Sequence, residues 1–170
     1  MKLIVETNFE TVKNLTEAKE DGSKEYWIEG IFLQSEVKNR NGRIYPKEPL
    51  FREAQEYNSK FIQTNAALGE LGHPENPDVN LHLVSHIIKE FRFDGNNVIG
   101  RAKIITSVPN GSIARGLMEE GVRFGVSSRG LGSLEYSSSQ NANIVQNDFV
   151  LTAIDIVHDP SAPEAFVNGV

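Results

Sequence analysis

The chain has 170 residues, 39% hydrophobic and 24% charged, a composition that predicts one globular domain, residues 1–170, with a core of its own. Its formal net charge of -6 lacks the basic excess that a sequence-independent nucleic-acid binder needs, so direct contact with DNA or RNA is not expected. It contains no cysteine, which excludes disulfides, thiolate zinc sites and a cysteine nucleophile.

Residues 2 to 6 read as a short strand in which Leu3, Ile4 and Val5 precede Glu6. That run is too short for a signal-peptide core, and no later run approaches the length of a membrane span. Residues 7 to 25 carry Glu10, Glu17, Glu20, Asp21 and Glu25 and predict an acidic surface excursion. From Tyr26 to Val37, aromatic and β-branched residues predict a strand, and Asn39-Arg40-Asn41-Gly42 predicts a turn. Pro46 opens a helix to about Phe61, with Leu50, Ala54, Tyr57 and Phe61 on one stripe. Residues 65 to 80, with Gly69, Gly72, Pro74 and Pro77, read as loop.

Strands are expected at 81–93 and 97–105, joined by the hairpin signal Asp94-Gly95-Asn96-Asn97. Asn110 to Glu120 reads as a helix in which Ile113 and Leu117 share a face. Further strands are expected at 122–128, 130–136, 143–147 and 149–157. The predicted class is mainly β (α+β): a small antiparallel β-barrel or sandwich of about seven strands flanked by helices, because few connections are long enough for parallel crossovers.

The chemistry centres on Gly125-Val126-Ser127-Ser128-Arg129-Gly130, two hydroxyls between glycines at the end of an apolar run. Strand alternation places Val126 and Ser128 on one face and Gly125, Ser127 and Arg129 on the other. Periodicity therefore favours Ser127 over Ser128 as a nucleophile; the alternative is a serine pair closing a strand. His73, ahead of Pro74, is biased toward an extended loop backbone, where an imidazole can act as general base or be a plain surface residue. Asp155 lies in the apolar run Phe149 to Val157, so burial is expected and a partner is required. That partner is either a histidine N–H or a structural group such as an arginine or backbone amides. His73, Ser127 and Asp155 together make a base, a nucleophile and an orienting carboxylate. Arg129, or backbone N–H groups near Arg129 and Gly130, are candidates for the oxyanion contact; an ion-pair role for Arg129 is the alternative.

Two competing sites are weaker. His82, His86 and Glu90 would line one face of a helix near a metal, but their segment reads as readily as a strand, and no metal or other cofactor is expected. His158 competes with Asp155 as third member of a triad.

The stretches Gly69-Glu70-Leu71-Gly72-His73-Pro74, Gly125 to Ser133, and Asp155 with Pro160-Ser161-Ala162-Pro163 resemble the prohead core proteases of contractile-tailed bacteriophages. So do Ile28-Glu29-Gly30-Ile31-Phe32, Asn39-Arg40-Asn41 and Arg43-Ile44-Tyr45-Pro46, so the resemblance runs from about residue 26 to 166. It implies an assemblin-like fold, a small β-barrel flanked by helices, and a serine endopeptidase with catalytic His73, Ser127 and Asp155. The implied partners are phage scaffolding core proteins and the major capsid protein, met inside the prohead in the host cytoplasm, with no membrane and with a homo-oligomer allowed. Cleavage after glutamate in an aliphatic-x-glutamate pattern is implied. The matching stretches here are Ile4-Val5-Glu6, Leu15-Thr16-Glu17, Leu68-Gly69-Glu70 and Leu117-Met118-Glu119, the first two being the more accessible self-cleavage sites. The alternative is a non-enzymatic prohead component that keeps the fold.

Overall fold

A computed structural model of the chain describes residues 1–8, 12–72 and 74–158. Three sheets carry the described residues. The first is antiparallel and joins β1 (Lys2–Asn8), β8 (Phe124–Gly132) and β11 (Val150–His158) in the order β1-β8-β11. The second sets β4 (Arg43–Ile44), β10 (Ala142–Val145) and β9 (Leu134–Ser137) in the order β4-β10-β9, with β4 parallel to β10. The third has β2 (Lys13–Ala18), β3 (Lys24–Gln34), β7 (Asn97–Ile104), β6 (Val84–Asp94) and β5 (Leu68–Glu70) in the order β2-β3-β7-β6-β5.

The expected closed barrel of about seven strands flanked by helices is not what forms. The sheets are open, and more strands share the chain than the turn signals suggested. Closure fails at an identifiable place. Between the end of β5, the edge of the third sheet, and β11, the edge of the first, the backbone pairing among the described residues is the isolated parallel bridge Leu71↔Ile156, with no ladder. Residues 13–18, expected within a surface excursion, pair with β3 as an exposed edge strand. The expected strands at 122–128 and 130–136 merge into one, β8, which runs straight through Arg129 and Gly130.

Two helices of 11 residues brace the sheets: α1 (Lys47–Tyr57) and α2 (Pro109–Glu119). Leu50, Ala54 and Tyr57 of α1 are buried as the stripe requires. A π turn at Asn58–Ile62 then adds a residue to the winding, so that Ile62, rather than Phe61, takes the next buried place. One apolar core joins the strands and α1 through Ile4, Ile28, Phe32, Leu50, Ile88, Val126, Phe149 and Ile154.

Candidate active site

β8 is the central strand of its sheet, so every residue on it is flanked on both sides. On one face Phe124 and Val126 enter the core; on the other lie Ser127 and Arg129, as alternation requires. Register places Thr7 of β1 on one side of Ser127 and Asp155 of β11 directly on the other. In an antiparallel pair, directly opposite residues share a face, so Ser127 and Asp155 project together. A bulge between Leu151 and Ala153 sets this register; Thr152 there donates its hydroxyl to Arg129 O at 2.9 Å.

Asp155 and Arg129 are both 0% exposed. Arg129 grips the carboxylate with a fork, Nε to Oδ2 at 2.7 Å and Nη2 to Oδ1 at 2.9 Å. The Glu70 N–H also donates to Oδ1, at 2.9 Å. Arg129 goes on to Glu70 Oε2 at 3.1 Å, Asn76 O at 2.8 Å and Asp78 O at 3.0 Å. These contacts use all five guanidinium donors. Burial pushes the Asp155 carboxyl above its ordinary pKa, with the Arg129 fork and the Glu70 N–H pulling the other way. Gly130 lies beneath the Phe149 ring, where a Cβ would collide.

Ser127 is 1% exposed, and among the described residues its Oγ has no hydrogen-bond partner. A buried hydroxyl left so costs about 1–3 kcal/mol, which calls for a reason beyond packing. Ser128 lies on the opposite face and lines a cavity of about 70 Å³ with Glu6, Phe32, Tyr45 and Leu50.

His73, and the stretch Pro160-Ser161-Ala162-Pro163, lie outside the described residues. The residue bonded to His73 is described: Gly72, at φ +107, donates its N–H to Ile156 O at 2.8 Å. Only glycine takes that conformation readily, and the bond fastens the chain beside β11 one residue from Asp155. His158 ends β11, exposed, three residues from Asp155 and thus on the other face of the strand. His82 sits exposed on a 3-10 turn (Leu81–Leu83), while His86 is buried in β6, so the two do not share a helical face. Among the described residues no group of three or more His, Cys, Asp or Glu is placed to hold a metal.

Two buried groups beside the site have structural roles that sequence spacing did not indicate. Glu70, 2% exposed, joins the Arg129 cluster; its only sequence signal is its place between Gly69 and Gly72. His86, 1% exposed, points Nε2 at Ile154 O, 2.8 Å away, and Nδ1 at Ser85 Oγ, 2.7 Å away. A carbonyl only accepts, so Nε2 carries the hydrogen and Nδ1 accepts from Ser85. Burial pushes the His86 pKa down to about 4. Gly69 permits this arrangement, since a Cβ there would collide with Ile154 O and the His86 ring.

A family model described as prohead core protein serine protease matches residues 4–170. The chain is 42% identical over 145 residues to the prohead core protein protease of Enterobacteria phage T4, a match covering 84% of this chain and 68% of that protein. Among solved structures it resembles that of the bacteriophage T4 capsid assembly protease, gp21, at 36% identity and a TM-score of 0.84, covering 94% of this chain and 98% of the other. A match of that extent, on a chain whose Ser127 hydroxyl lies opposite the buried Asp155 and is unpartnered among the described residues, places it in the prohead core protein serine protease family.

Proposed function

We propose that this single-domain protease matures a phage prohead, digesting scaffolding core proteins and trimming the major capsid protein inside it, with Ser127, His73 and Asp155 as its triad. The observation that carries the assignment is the register Asp155↔Ser127, with the Ser127 hydroxyl buried and unpartnered among the described residues. Ser127 Oγ attacks the peptide carbonyl. His73 takes the hydroxyl proton and returns it to the leaving amine, so that an acyl-enzyme remains; a water then repeats the sequence in reverse roles. Among the described residues Asp155 Oδ2 has a single donor, Arg129 Nε, and so has room for an imidazole N–H. All five guanidinium donors of Arg129 are engaged, and β8 is paired on both sides through Arg129 and Gly130, so the oxyanion contact is assigned to neither residue.

Co-expression with the scaffold and capsid proteins of the same phage tests this reading. The parent chain should convert both to shorter products. Ser127→Ala and His73→Ala should leave both intact, with the residual rate down roughly 10⁴-fold. Full processing by Ser127→Ala refutes it.

A further inference from the structure

The segment after His73 has no regular structure from Pro74 to Asn80, yet its backbone is tied at three points to groups that water barely reaches. Arg129 Nη1 holds the carbonyls of Asn76 and Asp78, and Glu70 Oε2 takes the Asn80 N–H at 3.1 Å. Glu70 is itself fixed twice, by Arg129 at its carboxylate and by Asp155 at its N–H. A surface loop would ordinarily be among the most mobile parts of a fold. Here its two ends, Gly72 on β11 and Asn80 on Glu70, are both anchored on the strand layer that carries Ser127 and Asp155.

We propose that Glu70, acting with Arg129, is a positioning residue: its buried carboxylate fixes the 74–80 segment that directly follows the base His73, and the reactivity of Ser127 depends on that anchoring. Glu70 touches no reacting atom; it acts through the loop. The inference rests on the assignment of His73 as the base. A misplacement of about 1 Å in a base costs on the order of 10²-fold in rate, so a loosened loop should show as lost reactivity rather than lost binding.

Saturation kinetics with a fluorophosphonate that phosphonylates Ser127, with loss of fluoride, separate those two quantities. Glu70→Ala removes the acceptor and should lower the limiting labelling rate by ~10- to 100-fold, with the half-saturating concentration unchanged within about twofold. Glu70→Gln keeps a carbonyl oxygen for the Asn80 N–H and should recover most of the loss. Asn80→Pro deletes the N–H that Glu70 takes and should behave like Glu70→Ala. Asn80→Ala keeps that N–H, loses only the side-chain cap on the His82 N–H, and should behave like the parent. A parental rate in Glu70→Ala, or an equal loss in Glu70→Gln, overturns the proposal. If circular dichroism shows Glu70→Ala unfolded, the Asn80 pair decides, and equal rates in Asn80→Pro and Asn80→Ala overturn it. Ser127→Ala keeps the two readings apart. Continued specific labelling of that variant sinks the triad, whereas abolished labelling beside parental Glu70 and Asn80 variants sinks only the positioning role.

Discussion

At Arg129 a guanidinium sits with every donor engaged and no exposure. Its neighbours are two carboxylates, so removing its charge leaves both buried and uncompensated. Arg129→Gln should therefore destabilise the fold by about 3–5 kcal/mol, a large part of the total for a domain of this size. Equilibrium urea unfolding, run in the Ser127→Ala background to prevent self-digestion, measures this; a loss below about 1 kcal/mol contradicts the account. The sequence made part of this legible. Alternation put Ser127 and Arg129 on one face, and the apolar run around Asp155 foretold both its burial and its need of a partner. It could not say which partner, because Arg129 and Asp155 lie 26 positions apart and only the bulged register of β11 brings them together.

The elements show where local pattern suffices and where contacts decide. The hairpin of β6 and β7 turns at the Asp94-Gly95-Asn96-Asn97 signal because Gly95 supplies positive φ locally. β5 gave no local signal: a run of three residues, Leu68–Glu70, becomes a strand only because β6 offers a ladder. In α2 the shared face of Ile113 and Leu117 forms as spacing predicts, but it is exposed, and the helix packs through Gly111 and Ala114. His86 links two elements, β6 and β11, and carries a pH signature. Its folded pKa, about 4, lies below the ordinary histidine value of 6.5 because burial disfavours the imidazolium. As pH falls below the higher value, the unfolded chain takes up a proton that the native imidazole refuses, so stability declines until the native group titrates near the lower one. Across that window the linkage amounts to roughly 3 kcal/mol at most. Melting temperature should fall between pH 6.5 and 4.5 in the Ser127→Ala protein, and less steeply when His86→Gln is added. Parallel slopes would contradict the assignment.

For the whole molecule, self-cleavage in the aliphatic-x-glutamate pattern that the resemblance implies would be limited by which glutamates the open sheets leave reachable. Glu6 is drawn into β1, where Arg43 lies 2.7 Å from its carboxylate and Tyr45 donates at 3.0 Å. Glu17 stands on β2, an edge strand with mostly exposed residues, paired with Arg101. A protease needs about an extended strand of free chain, and peeling an exposed edge is easier than unpairing β1 from β8. N-terminal sequencing of self-processed protein should therefore find cleavage after Glu17 ahead of Glu6; the reverse order would mean that β1 leaves β8 first. The open architecture was not legible in advance, because turn lengths report which strands are neighbours along the chain and not whether the last strand meets the first. β1 pairs with β8 across more than a hundred residues, and no local pattern encodes that choice.

The central claim is that Ser127, not its neighbour, is the nucleophile. Mass-spectrometric mapping of the fluorophosphonate adduct tests it most directly. A single adduct on Ser127, lost in His73→Ala, is expected. An adduct on Ser128, or labelling of Ser127 that persists without His73, would contradict it.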